Sequence, residues 1–273
     1  MKNSLGVFYT CFTETESVRH SLELLYKVYP DIPVYLVSDG GSDYSFLTEQ
    51  FPDKNLKVLL EEDTRGCINS CMASRANLGP KRPDDNELLI KSVYCFLDRV
   101  NRAIDYCNCE TLLIMEPDVL VRGELNIPED VGVMGSKVNP EHHNHPVSEK
   151  LRDYIKSFPK GIDFTRWGIT PAIFGSDLFK EIMNTLEEDK TIIAKICNLE
   201  PRFACYDFMF ATLFAMIGVP ETFNPDIVEC LRNPNWKNTQ KPLVHQYYGH
   251  YPRTSEGYKS SYGNRDHYID ASI

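Results

Sequence analysis

The sequence has no long hydrophobic run and little positive charge. None of its apolar stretches reaches the roughly 18 residues that a membrane-spanning helix needs, and its first residues lack the charged-then-apolar pattern of a signal peptide. Its 29 basic residues are outnumbered by 39 acidic ones, which gives a formal net charge of −10. A chain with this charge is repelled by polyanions. We therefore expect no membrane span and no nucleic-acid partner.

The cysteines lack the arrangement of a zinc site or of a disulfide framework. There are nine, an odd number, and they are scattered along the chain. The close pairs Cys67/Cys71 and Cys107/Cys109 have no second pair at zinc-site spacing. Scattered thiols inside apolar runs are typical of proteins from a reducing compartment. We therefore expect a cytoplasmic protein.

The most informative stretch runs from Leu112 to Val121. A continuous apolar run of this kind predicts a strand that is buried on both faces. The strand must end at Pro117, which has no N–H for a central ladder. Glu116 and Asp118 then lie at the carboxyl end of the strand, where open α/β sheets bind ligands. Two carboxylates at this spacing suit a hard divalent cation, although a solvated acidic turn would show the same pattern.

The first forty residues predict a strand, a helix and a second strand. Residues 5–12 are rich in β-formers, residues 18–29 have apolar residues at helical spacing after Ser17 as the N-cap, and residues 34–37 are again apolar. This order is a βαβ unit and implies a parallel sheet. The second strand leads into a glycine-rich turn that contains Asp39. The turn either binds a ligand or supplies its own local hydrogen bonds.

Two further predicted helices carry candidate site residues or lead into the site. The first, preceding Leu112, has a buried stripe from Leu89 to Ile104 at spacings of three and four. The second covers 203–217 and is apolar all round except for Asp207. An acid in the first turn stabilises a helix through its dipole. Because a buried charge is costly unless it is used or paired, Asp207 is also a candidate functional residue.

Histidines near the end of the sequence are candidate metal ligands. His245 ends a short apolar run and is our preferred ligand, with His250 as the alternative. An ordinary surface histidine, with its hydrogen bonds made and no metal bound, would fit the same pattern. Arg253 follows and could help to neutralise a diphosphate.

These segments together resemble the GT-A glycosyltransferases. The strand ending in Glu116-Pro117-Asp118 is similar to their metal-binding D-x-D strand, with Glu116 in place of the first Asp. The turn from Asp39 is similar to their D-D-G-S-x-D turn, which holds the base and ribose of the sugar donor. Thr10, at the end of the first strand, would lie beside Asp39.

The resemblance extends to three further residues. Arg99 lies on the helix from which glycogenin-like and bacterial galactosyltransferase-like enzymes present a donor-binding arginine. Asp207 resembles the helix-start acid near the anomeric carbon of the sugar. His245 resembles the metal-ligating histidine of an H-x-x-G segment, although the spacing to the glycine differs by one residue.

The resemblance implies one α/β domain over 1–273, with a nucleotide-sugar-binding half (1–136) and an acceptor-binding half (137–273). The expected fold is a GT-A-like three-layer sandwich, in which helices cover both faces of a mostly parallel central sheet. The implied activity is that of a metal-dependent hexosyltransferase. It would move a sugar from a UDP- or GDP-sugar to a glycan or other hydroxyl acceptor, with Mn²⁺ or Mg²⁺ as cofactor.

The implied site residues have distinct roles. Thr10, Asp39 and Arg99 would bind the nucleotide sugar, together with Glu116 and Asp118. The last two would also hold the metal with His245. Asp207 would be the general base of an inverting enzyme or would stabilise the oxocarbenium-like centre of a retaining one.

Two other functions are compatible with the same features. A sugar-nucleotide pyrophosphorylase shares the nucleotide-binding sheet, but it should carry a basic glycine-rich loop where this chain has the acidic residues 13–16. A metal-, nucleotide- or carbohydrate-binding protein without turnover would explain why Glu116 stands in place of an aspartate.

Overall fold

The computed structural model describes residues 2–11, 15–39, 41–61, 86–117, 119–135, 147–164, 171–200, 206–224, 227–230 and 241–245. These residues form seven helices: α1 (Thr15–Val28), α2 (Phe46–Gln50), α3 (Asn86–Cys107), α4 (Glu149–Lys156), α5 (Ser176–Glu188), α6 (Ile192–Leu199) and α7 (Tyr206–Met216). They also form ten strands: β1 (Asn3–Cys11), β2 (Val34–Asp39), β3 (Leu56–Glu61), β4 (Cys109–Met115), β5 (Val119–Val121), β6 (Val133–Gly135), β7 (Ile173–Gly175), β8 (Glu221–Phe223), β9 (Val228–Cys230) and β10 (Leu243–His245).

Seven strands form a mostly parallel sheet in the order β3-β2-β1-β4-β7-β6-β8. The four strands β3, β2, β1 and β4 are parallel to one another, whereas β7 runs antiparallel to both of its neighbours. The predicted βαβ unit and the predicted parallel sheet are therefore confirmed. As expected from the proline, β4 ends at Met115, two residues before Pro117.

Helices cover both faces of this sheet. On one face, Phe8, Val37 and Ile114 pack into a core with α3, α5, α6 and α7. On the other face, the alternate strand residues, such as Tyr9 and Met115, pack against α1. This alternation follows from the period of two along a strand. The predicted α/β layering of helices on both sides of a central sheet is thus confirmed.

A second, small sheet was not predicted from the sequence. It has the order β5-β10-β9, with β10 antiparallel to β5 and parallel to β9. Only three residues, 116–118, separate the end of β4 from the start of β5. The chain thus leaves the large sheet at the proline and enters the small one directly.

One predicted helix boundary is wrong. α1 begins at Thr15, so Ser17 lies within its first turn and is not the N-cap. The side chain of Ser17 has a different partner, which is described below. In the part of the chain that the structure describes, no helix combines the length and the apolar character needed to cross a membrane.

Candidate functional site

Three polar residues lie at the carboxyl ends of the parallel strands, on one face of the sheet. Alternation along the strands puts Thr10 on the same face as Phe8, and Asp39 on the same face as Val37. Phe8 and Val37 belong to the core on the α3 side. Glu61 ends β3 directly opposite Asp39. Thr10, Asp39 and Glu61 therefore lie at one edge of the sheet, on the side covered by α3.

Glu116 follows β4 at the same edge. Met115 pairs with Tyr9, so Glu116 comes level with Thr10. The side chain of Ile114 is in the α3-side core, and continuing the strand alternation one residue past the end of β4 puts Glu116 on that face, together with Thr10. β1 separates β4 from β2, so the ends of β4 and β2 are about 10 Å apart, or two strand spacings.

Asp39 and Arg99, two predicted contacts of the sugar donor, contact each other. Arg99 Nη1 donates to Asp39 Oδ1 at 2.9 Å, and the two side chains are 1% and 0% exposed. Arg99 Nε donates to Glu61 Oε2 at 2.6 Å. The guanidinium on α3 thus joins the ends of β2 and β3. Since buried charges are retained when they are paired and hydrogen-bonded, this network fixes Asp39 in place.

Arg102, one helical turn after Arg99, extends the network toward the surface. Its Nη2 donates to Glu61 Oε1 at 2.7 Å, and its Nη1 donates to the hydroxyl of Tyr35 at 3.0 Å. Burial alone would raise the pKa of Glu61, but the hydrogen bonds and charges of Arg102 and Arg99 outweigh burial and lower this pKa below its ordinary value. Glu61 is therefore held as a carboxylate between two arginines.

One hydrogen bond closes the turn at Pro117, and a second attaches it to α1. The N–H of Val119 donates to the carbonyl of Glu116 at 3.0 Å, which closes the turn. The hydroxyl of Ser17, on α1, donates to the carbonyl of Pro117. Ser17 is fully buried, and Pro117 is buried as well. The acidic turn is therefore attached to a helix of the opposite sheet face.

The backbone of His245 lies next to this turn. In the small sheet, His245 pairs with Val119, the residue that follows Asp118. Asp118 itself and the side chain of His245 lie outside the described residues. The pairing brings the strand that ends in His245 to the acidic turn, although the two segments are far apart in sequence.

The donor set fits a divalent cation that accepts oxygen and imidazole ligands. Glu116 and Asp118 would supply carboxylate oxygens and His245 an imidazole nitrogen, a combination suited to Mn²⁺ or Mg²⁺. Among the described side chains, no group of three or more His, Cys, Asp or Glu could hold a metal ion. Because two of the three predicted ligands lie outside that set, the metal site stays a prediction.

Helix α7 packs into the core on the α3 side of the sheet. A short turn connects its last residue, Met216, to β8, which runs parallel to β4 through β6 and β7. Phe210 packs against Phe96 of α3 and Phe174 of β7, with ring centroids 6.0 and 5.2 Å apart. The carboxyl-terminal end of α7 therefore lies near the first residue of β8. Asp207 is the second residue of α7, and its side chain lies outside the described residues.

The structure thus brings most of the predicted site residues to one region. Thr10, Asp39 and Glu116 share an edge and a face, and Arg99 contacts Asp39 there. The sequence interpretation missed Glu61 and the role of Ser17. Glu61 had one available signal, since it ends an apolar strand as Asp39 does. His250 and Arg253 lie outside the described residues.

Comparison with solved structures gives similarities of overall fold. The structure of galactosyltransferase LgtC in complex with donor and acceptor sugar analogs has 13% sequence identity and a TM-score of 0.49, over 88% of this chain and 86% of that one. Mouse xyloside xylosyltransferase 1, in its apo form, has 9% identity and a TM-score of 0.49, over 88% of this chain and 97% of that one. No family model matches the sequence, and no curated protein matches it.

Proposed function

We propose that this protein is a metal-dependent glycosyltransferase. It transfers a sugar, a hexose in the simplest case, from a UDP- or GDP-sugar to the hydroxyl group of a glycan or another acceptor. The observation that carries the proposal is the convergence at one sheet edge. Thr10, Asp39 and Glu116 share one face of that edge, and the strand ending in His245 pairs beside the acidic turn.

Thr10 and Asp39 are assigned to the nucleoside of the sugar donor, with Arg99 holding Asp39. The ends of β2 and β4 are about 10 Å apart, so a nucleotide bound across the end of β1 would reach from Asp39 to Glu116. The network around Asp39 pairs the carboxylates of Asp39 and Glu61 with Arg99 and Arg102. Its positive charge is balanced, so it suits hydroxyl groups rather than phosphates. The diphosphate is therefore assigned to the other end, beside the acidic turn.

Mn²⁺ or Mg²⁺ would be held by Glu116, Asp118 and His245. When bound, such an ion acts as a Lewis acid that offsets the negative charge of the departing diphosphate. The net charge of −10 supports this assignment, because an acidic chain binds a diphosphate poorly without a cation.

The reaction breaks the bond between the anomeric carbon and the diphosphate oxygen, and it forms a bond from that carbon to the acceptor oxygen. The nucleoside diphosphate leaves with the bonding electron pair. In an inverting reaction Asp207 takes the proton of the acceptor hydroxyl. In a retaining reaction Asp207 instead stabilises positive charge at the anomeric carbon.

We place the protein in the cytoplasm on the basis of its thiols. Cys95, Cys107, Cys109 and Cys197 are thiols rather than disulfides, and three of them are buried. Free thiols of this kind are typical of a reducing compartment.

A thermal-shift panel tests the proposal. UDP-, GDP-, CMP- and dTDP-sugars are each added with Mn²⁺, Mg²⁺ or EDTA. A ligand at 100 times its dissociation constant stabilises the fold by about 2.7 kcal/mol. We expect stabilisation by one class of nucleotide sugar, only when metal is present. No shift with any of them would contradict the proposed sugar-donor site.

A turnover assay separates the proposal from binding without catalysis. We expect slow hydrolysis of the stabilising nucleotide sugar with Mn²⁺, and loss of this activity with EDTA. A shift without any hydrolysis or transfer would favour a binding protein, as the replacement of the first aspartate by Glu116 allows.

A further inference from the structure

Ser17 connects α1 to the centre of the acidic turn. Its side chain is 0% exposed, and its hydroxyl donates to the carbonyl of Pro117. Pro117 lies between the two predicted metal-binding acids and 100 residues further along the chain. A hydrogen bond to this carbonyl therefore acts on the backbone from which both carboxylates extend.

The helix that carries Ser17 is firmly packed. Val18 and Leu22, on the same helix, are fully buried in the core that also contains Val119 and Val121 of β5. The strand that follows the turn and the helix that holds the turn therefore belong to one packed unit. The Ser17 hydroxyl is part of this unit, so it can hold the turn at Pro117 in one position.

We propose that Ser17 is a positioning residue for the metal-binding turn. The inference rests on the proposed function, since it assigns a role around the same metal. Groups that orient metal ligands are important because a carboxylate coordinates only within a narrow range of position. The Ser17 hydroxyl fixes the Pro117 carbonyl, and with it the direction in which Glu116 leaves β4.

Ser21 provides a matched control on the same helix. It is also 0% exposed, and its hydroxyl lies 2.6 Å from the hydroxyl of Tyr9. It lies one turn further along α1, where its hydroxyl bonds to Tyr9 and to the carbonyl of Val18. Ser17→Ala and Ser21→Ala each remove one buried hydroxyl, so both should lower the free energy of unfolding by about 1 kcal/mol.

The test is a titration with Mn²⁺, in which electron paramagnetic resonance measures the free ion. Loss of a group that orients metal ligands typically weakens metal binding by about 10- to 100-fold. We expect a weakening in that range for Ser17→Ala, and a change within about twofold for Ser21→Ala. Urea denaturation of both variants checks that their stabilities are comparable.

Other outcomes would overturn the inference in distinguishable ways. Equal Mn²⁺ affinity in wild type and Ser17→Ala would show that the hydroxyl has only a structural role, as would equal weakening in both variants. Failure of the wild type itself to bind Mn²⁺ would contradict the proposed metal site. If Ser17→Ala does not fold, Ser17→Cys replaces it, because a thiol is a weak donor of similar size and should also weaken Mn²⁺ binding.

Discussion

Arg99 Nη1 lies 2.9 Å from Asp39 Oδ1, and neither side chain is more than 1% exposed. The pair joins the long helix α3 to the carboxyl end of β2, 60 residues earlier in the chain. Removing one member of such a pair leaves a buried charge without its counter-charge, whereas removing both does not. The pair should therefore behave as one unit in mutagenesis.

Arg99→Leu should destabilise the fold by about 3–5 kcal/mol, because it removes the counter-charge of the buried Asp39 carboxylate. Asp39→Asn should cost less, because Arg99 keeps Glu61 as its partner. The double variant should cost less than the sum of the two single variants. Urea denaturation measures the three free energies of unfolding. As a control, Glu23→Gln removes the half-exposed partner of Arg19 on α1 and should cost at most about 1 kcal/mol. Strict additivity at Asp39 and Arg99 would contradict their energetic coupling.

Glu61 should make stability depend on pH. Burial raises its pKa, but Arg102 and Arg99 outweigh burial and lower it below the unfolded value. A carboxylate of this kind contributes stability above its unfolded pKa and loses it as the pH falls through the folded pKa. The difference in unfolding free energy between wild type and Glu61→Gln should thus be constant above about pH 5 and shrink at lower pH.

Asp98→Asn is the control for Glu61, since Asp98 contacts the same Arg102 from a side chain that is 61% exposed. Its effect on stability should be within about 0.5 kcal/mol. A difference between wild type and Glu61→Gln that does not change between pH 7 and pH 3 would show that Glu61 is not stabilised by its arginines.

Asp118→Asn should lower the turnover of nucleotide sugar by about 10²-fold or more, because it removes a preorganised charge contact to the metal-bound diphosphate. The fold should remain intact. Asp105→Asn makes the same chemical change at an exposed residue of α3 that pairs with Lys180, and it should leave turnover unchanged. Wild-type turnover together with wild-type Mn²⁺ affinity in Asp118→Asn would exclude this residue as a metal ligand.

Asp207→Asn should reduce transfer by about 10²-fold or more, as expected when a general base is lost. The dissociation constant of the sugar donor should change little, since the proposed role concerns the reacting centre. Asp177→Asn makes the same change in the first turn of α5, where the carboxylate interacts with the helix dipole and with the exposed Lys2. If Asp207→Asn instead lowers stability by about 0.3–1 kcal/mol and leaves the rate unchanged, Asp207 only caps α7.

Gly6→Ala should destabilise the sheet. A Cβ at Gly6 would lie 2.6 Å from Cys107 Cβ and 2.8 Å from Cys109 Sγ. Relieving such overpacking costs about 1–3 kcal/mol. At Gly123 the nearest atom, Cβ of Pro242, is 3.4 Å away, so Gly123→Ala should be tolerated. Thermal unfolding of both variants measures the difference, and equal melting temperatures would contradict the close packing at Gly6.

Much of the fold could be predicted because its signals are local. The apolar runs ending at Val37 and Met115 are the strands β2 and β4, and the helical stripe up to Ile104 belongs to α3. The missing N–H of Pro117 ended β4 where expected. The start of α1 was predicted wrongly because serine is common both at N-caps and in first turns, and local sequence does not separate the two.

The sequence by itself determined which residues stand at the carboxyl ends of the strands. Hydrophobic periodicity and a single proline decide where each strand stops, and these are properties of neighbouring residues. Only the tertiary structure decided which of these residues meet. Glu61 lies 38 residues from Arg99, and Ser17 lies 100 residues from Pro117. Such partners are selected by the packing of whole helices and strands against one another, which no short segment of the sequence specifies.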